Sequence, residues 1–213
     1  MKKLALLLVS AFLVILFTVS CSKKKEEPVT PKVFALHESF ELDIRNATFS
    51  GTLENASGLS ELYLMLKKDT LDFERYQISY NKNKFSLTID TLAFDSYTYH
   101  YEYVLSGTTK TTKDKSFAIL VGRWSTSDGG HFEVYNADGT GKMWDPSEDV
   151  HEDEADTFDW TIDENNKMTQ VVHFQGGQSD LPQYCNILTL NVNAFKYNNE
   201  GWRAEYDLIR VNQ

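Results

Sequence analysis

Ile119 to Trp144 reads ILVGRWSTSDGGHFEVYNADGTGKMW, and its alternation decides the fold. Apolar and polar residues change places at every second position through Leu120–Thr126, His131–Asn136 and Gly141–Trp144, the period of a strand rather than a helix. Asp138-Gly139 reads as a hairpin turn, because Asp and Gly tolerate the positive φ that tight hairpins need. The same pattern runs on through Thr157–Ile162, Met168–Phe174, Gln183–Leu190, Ala194–Tyr197 and Trp202–Val211. The later breaks, Asp163-Glu164-Asn165-Asn166, Asn191-Val192-Asn193 and Asn198-Asn199-Glu200-Gly201, carry the same turn chemistry. Eight short antiparallel strands can close into a barrel whose interior holds side chains or one small ligand.

Gly122-Arg123-Trp124, the run from Asn136 to Gly141 (NADGTG) and the closing YDLIRV (Tyr206–Val211) resemble the calycin group, specifically bacterial lipocalin-like domains. The resemblance implies an up-and-down barrel over residues 119–213, with Arg210 lying over Trp124 to plug the closed end and a pocket for a small apolar ligand inside. Alternation sets Phe158, Trp160 and Ile162 on one face, followed by Val172 and Phe174, Leu188 and Leu190, and Trp202, Ala204, Tyr206 and Leu208. Trp144 stands at the rim. The candidate ligand-binding residues are therefore Trp144, Phe158, Trp160, Phe174, Trp202 and Tyr206. The competing expectation is that these large rings simply fill the barrel.

Upstream, FELDI (Phe40–Ile44), ATFSGTL (Ala47–Leu53), GLSELYLMLKKD (Gly58–Asp69), RYQISY (Arg75–Tyr80), KFSLTIDTL (Lys84–Leu92), YTYHYEYVLSG (Tyr97–Gly107) and TTKTTKDKSFAI (Thr108–Ile119) alternate in the same way. Strands at this spacing predict a two-sheet β-sandwich over residues 34–118. The segment resembles a fibronectin type III or immunoglobulin-like module. DTLAFDS (Asp90–Ser96) before the tyrosine-rich strand looks like that family's corner, with Tyr97 or Tyr99 tying back the loop. The stripe Tyr97, Tyr99, Tyr101 and Tyr103 reads either as a half-buried strand face or as a sugar-stacking platform.

The N-terminus has a different grammar. Met1-Lys2-Lys3 precedes a 16-residue apolar run, Leu4–Val19, and then Ser20-Cys21, the three parts of a secretory signal peptide (1–20). The run falls short of the roughly 20 residues of a membrane-spanning helix. The site resembles the processing site of bacterial lipoproteins, which implies that Cys21 is acylated with palmitate-type chains and becomes the mature N-terminus. Residues 21–33, CSKKKEEPVTPKV, form a tether with little to bury. Lys25-Glu26-Glu27 looks like the tag that carries Bacteroidota-type lipoproteins to the outer leaflet. The expected location is the cell envelope, on the outer membrane and surface-exposed, with the membrane as partner through the acyl chains.

Charge and motif content exclude several functions. The chain carries −10; without Lys2 and Lys3 the 21 basic residues become 19 against 31 acidic, or −12. Such a protein repels phosphate backbones, so nucleic acid is not a partner. The 5 histidines never pair at metal spacing, and neither a phosphate-binding glycine loop nor G-x-S-x-G occurs. With Cys21 acylated, Cys185 has no disulfide partner and reads as a wall residue. DPSEDVHEDEAD (Asp145–Asp156) reads as a solvated loop at the barrel mouth, or as a calcium site lacking calcium-loop spacing. Asp69-Thr70-Leu71 and Asp90-Thr91-Leu92 repeat a triplet that looks like the acceptor motif for O-linked glycans on exported Bacteroidota-type proteins. The expectation is an all-β, non-enzymatic module with no catalytic residue, metal or cofactor. It binds a small apolar or glycan-derived ligand; the alternative is a fully packed structural or protein-interaction module.

Overall fold

A computed structural model describes residues 32–175 and 178–211. The signal peptide, Cys21 and all of the tether before Lys32 lie outside the described residues. Residues 34–213 make one compact unit, built of two antiparallel sheets and a closed barrel.

The first sheet contains β1 (Ala35–Asp43), β2 (Asn46–Glu54), β5 (Tyr80–Asn81) and β6 (Lys84–Ile89) in the order β1-β2-β6-β5. The second holds β3 (Leu59–Lys68), β4 (Glu74–Gln77), β7 (Ser96–Leu105) and β8 (Thr108–Thr111) in the order β4-β3-β7-β8, with β9 (Lys115–Ala118) also pairing β7. Alternation carries Phe49 and Leu53 of β2, Leu62, Leu64 and Leu66 of β3, and Tyr97, Tyr99 and Tyr101 of β7 into one core. Rings meet across it, Phe49 edge-on to Tyr99 at 5.0 Å and Phe85 edge-on to Tyr101 at 5.6 Å. These tyrosines are therefore packing residues, and their faces are not free to stack a sugar. The Tyr97 hydroxyl donates to the carbonyl of Ala93 at 3.3 Å, which ties down the loop before its own strand. At the β5–β6 hairpin, Lys82 and Asn83 both take positive φ, the backbone that a two-residue turn requires.

The barrel runs β10 (Gly122–Thr126), β11 (Phe132–Tyr135), β12 (Thr140–Trp144), β13 (Asp156–Ile162), β14 (Lys167–His173), β15 (Leu181–Leu190), β16 (Ala194–Asn199) and β17 (Ala204–Arg210), and β17 returns to pair β10. All eight strands fall within a few residues of their sequence-predicted places. The turns form for local reasons. Asp138 Oδ1 accepts from the Thr140 amide, Asp163 Oδ1 from those of Asn165 and Lys167, and Asn191 Oδ1 from those of Asn193 and Ala194. Each side chain substitutes for a backbone turn bond, which sets the hairpin's length and hence its register.

Two expectations fail locally. Leu188 is 48% exposed rather than facing inward with Leu190, because a bulge between Ile187 and Thr189 shifts the parity of β15. Trp202 precedes β17 and lies in the turn before it, 37% exposed. Asn199 Oδ1 captures the amides of Gly201 and Trp202 at 3.0 Å each, so the strand starts only at Ala204.

At the end of the barrel facing the first two sheets, Arg210 lies over the Trp124 ring at 4.1 Å. Its guanidinium also donates to the carbonyls of Ala118, Ile119, Val121 and Val192. Gly122 makes room for it: φ is +137°, and a Cβ there would stand 2.5 Å from Arg210 Nη1. Arg210 thus closes the barrel and clamps the β9–β10 connection at once.

Candidate functional site

Strand parity points Trp124, Glu133, Tyr135, Met143, Phe158, Met168, Gln170, Val172, Gln183, Cys185, Phe195, Tyr197, Asn199 and Leu208 inward, and each is buried. Of the candidate ligand residues, Phe158 is fully buried against Tyr135 at 5.2 Å. Gly141 opposite lets it in, since a Cβ there would meet the Phe158 ring at 2.3 Å. Tyr206 stacks on Tyr197 at 5.0 Å, and Phe174 is partly buried beyond the end of β14. Trp144 points out of the barrel: it is buried against Phe132 at 5.1 Å, with Arg123 over it at 4.7 Å. Trp160 lies at the opposite end from the mouth, half-buried, its indole N–H donating to the Thr140 carbonyl. The six do not converge on a single cavity.

The interior instead holds a polar network that the sequence reading missed. Glu133 is fully buried and accepts hydrogen bonds from His131 Nε2 at 2.8 Å, the Tyr135 hydroxyl at 2.6 Å and the Tyr197 hydroxyl. Gln170 donates to the Tyr135 oxygen at 2.7 Å and accepts from the Cys185 thiol. On its other side His131 Nδ1 meets Asp145 at 2.6 Å, at the start of the acidic loop. Burial by itself would lower the His131 pKa, but the hydrogen bonds and charges of Glu133 and Asp145 hold it up at about 9. The imidazole is therefore a cation between two carboxylates. Burial, then the nearby carboxylates, pushes the Cys185 thiol up to about 12, which leaves it inert. The signal for this network was present in the alternation His131-x-Glu133-x-Tyr135, all three on the parity of the barrel interior.

The acidic loop is pinned at two points rather than freely solvated. Asp145 holds His131, and Glu152 takes Arg123 at 3.0 Å and Lys142 at 2.6 Å. Among the described residues, no group of three or more His, Cys, Asp or Glu side chains is arranged to hold a metal ion.

Concave surface is also present on the two-sheet body. A cleft of about 290 Å3 opens between the β3–β4 and β6–β7 loops, lined by Leu71, Glu74, Tyr76, Thr91 and Tyr97 among others. Both Asp-Thr-Leu triplets border it, through Leu71 and through Asp90, Thr91 and Leu92. A second cleft of about 260 Å3 lies where the β1–β2 turn and the β6–β7 loop meet the barrel, lined by Arg45, Phe94, Asp95, Trp160 and Ile162. Lys68 and Ala93 line both clefts, which are therefore neighbours. At the waist Lys68 meets Asp95 at 2.9 Å, a hydrogen bond that raises the lysine's pKa. Tyr76 donates to the Glu74 carboxylate; burial and that bond push its pKa up to about 12, so it remains a donor.

No protein-family model matches the chain, and no curated protein is recognisably similar to it. Among solved structures it is similar to a bromine derivative of the module BhCBM56, at 13% identity and a TM-score of 0.34, covering 39% of this chain and 90% of that one. It is also similar to a family 56 carbohydrate-binding module described as a β-1,3-glucan binding domain, at 17% identity and a TM-score of 0.31, covering 40% and 99%. The third is a family 64 laminaripentaose-producing β-1,3-glucanase from Paenibacillus barengoltzii, at 9% identity and a TM-score of 0.32, covering 72% and 65%. Likeness at this level assigns neither a family nor a ligand to the chain.

Proposed function

We propose that this chain is a non-enzymatic binding module of the cell envelope that holds a glycan-derived ligand along a groove made of the two neighbouring clefts, one on the two-sheet body and one where that body meets the barrel. The observation that carries the reading is that the two clefts adjoin, with Lys68 and Ala93 lining both. A linear ligand of several units can lie along such a groove, where Tyr76 and Trp160 offer apolar contact. Glu74, Lys68 and Asp95 offer the few polar partners that orient a ligand. The barrel interior supports a ligand on the surface rather than inside, because Phe158, Tyr135, Phe195 and Tyr197 fill it. The non-enzymatic reading draws support from Glu133, the most buried acid, which is sealed from solvent with three donors on its oxygens. The filled barrel also favours a second reading, a packed interaction module whose loops meet a protein partner.

Binding separates the two readings. The full chain, purified in mild detergent, should bind at least one class of soluble oligosaccharide by calorimetry. Trp160→Ala and Tyr76→Ala should each weaken that binding about 10-fold while the thermal midpoint shows the variants folded. No binding across neutral and acidic oligosaccharides would leave the interaction module standing instead.

The same proposal includes the plan of the chain: a cleaved leader, an acylated Cys21, an immunoglobulin- or fibronectin-like body over 34–118 and a lipocalin-like barrel over 119–213. The Ser20-Cys21 site supports the anchor; the Tyr97–Ala93 tie and the Arg210–Trp124 stack support the two bodies. Cys21→Ser should abolish incorporation of labelled palmitate and release the protein from the membrane fraction. Retention equal to wild type would remove the anchor from the account.

A further inference from the structure

We propose that the barrel-side half of the groove seats a carboxylate, so that the ligand is an acidic saccharide bound in one orientation; this rests on the groove being the binding site. The β1–β2 turn that carries Arg45 is pinned to the barrel by the Ile44 amide, which donates to the Leu190 carbonyl at 2.7 Å. Arg45 reaches into the cleft with its guanidinium 5.5 Å from the Phe94 ring centre. It donates from Nε to the Leu92 carbonyl at 3.2 Å and from Nη2 to the Thr91 carbonyl at 3.4 Å. A guanidinium has five N–H donors, so most of this one is unspent, and no carboxylate pairs with it among the described residues.

The acid that lines the same cleft is already paired with another cation. Asp95 is already shared between Lys68 at 2.9 Å and the Ser96 amide at 2.9 Å. On a chain of net charge −10, this leaves an arginine without a carboxylate partner among the described residues in the same cleft as the half-buried Trp160. A carboxylate-bearing sugar fits that pair of features. Its acid group takes the two-pronged hydrogen bonding that arginine favours, and its ring lies against the indole. The other half of the groove has the opposite character, with Asp72, Glu74 and Asp90 on its walls. A second acid group is repelled there, so the acidic unit sits at the barrel side and a neutral unit at the far side.

The test compares a galacturonate trisaccharide with its methyl-esterified form and with a neutral galactose trisaccharide, each titrated into the full chain in mild detergent. The free acid should bind about 10-fold or more tightly than either neutral form, with the preference shrinking at high salt. Arg45→Gln should bring the free acid's affinity level with that of its methyl ester, and Arg45→Lys should keep only part of the preference. Should Arg45→Gln fail to fold, the Arg45→Lys comparison and the salt series decide the matter alone. Equal affinity for acid and ester, or an undiminished preference in both Arg45 variants, overturns the carboxylate seat and leaves the groove intact. Failure of all three sugars to bind overturns the groove and the seat together.

Discussion

Glu133→Ala should lower the stability of the fold by about 3–5 kcal/mol, read as a drop in the urea midpoint, the cost of breaking a buried charge network by removing one member. The size follows from what is left behind. His131 is left with only Asp145 as an acidic partner, and the hydroxyls of Tyr135 and Tyr197 lose their shared acceptor inside the barrel. A buried donor without a partner costs about 1–3 kcal/mol. Glu133→Gln keeps the shape and one acceptor oxygen, so it should cost less than the alanine. A loss below about 1 kcal/mol for the alanine would show that the network contributes little.

The same network gives a pH signature. His131 is held up at about 9 in the fold against ~6.5 in an unfolded chain. A folded-state pKa above the unfolded one stabilises fully below about pH 6.5, and the stabilisation fades as pH rises through 9. The wild-type midpoint should fall between about pH 6.5 and 9, and Glu133→Ala should flatten that slope because the histidine loses its first partner.

Arg210→Ala is expected to cost about 3–4 kcal/mol, or a fall in thermal midpoint of roughly 6–15 °C for a fold of this size. The stack on Trp124 contributes about 0.5–2 kcal/mol, and each of the four carbonyl bonds about 0.5–1.5 kcal/mol net. Burial lowers the arginine's pKa to about 10, so it remains cationic at neutral pH and serves as a donor to all four carbonyls. Lysine at this position can satisfy only part of that set, because a point charge cannot fork around the Ala118–Val121 connection. Arg210→Lys should fall between wild type and alanine. An alanine variant as stable as wild type would mean that the barrel closes through its strands alone.

Much of the architecture was legible because its causes are local. Strand period and Asx-type turns are written in adjacent residues, and Asp163 or Asn191 bonds to amides two to four positions away. Parity extrapolation failed at Leu188 and Trp202, where a bulge and an Asn199 cap interrupt it. Both depend on how a strand meets its neighbour, and period alone cannot report that. The candidate site was less legible. Aromatic residues at inward parity are compatible with a pocket lining and with a filled barrel alike, and the packed interior shows the second. The polar network was less legible because Glu133 also takes Tyr197, and Gln170 takes Tyr135 and Cys185, from other strands.

The amino-acid order by itself determined that this chain is all-β and where its barrel turns fall, while the Arg210–Trp124 contact was implied by the calycin resemblance. Tertiary structure alone decided that the barrel interior is filled around a buried carboxylate, and that Arg45, Lys68, Phe94 and Trp160 share one groove. The physical reason is range. Backbone hydrogen bonding and strand period act over a few residues, whereas a groove forms where loops more than a hundred positions apart are brought together by packing.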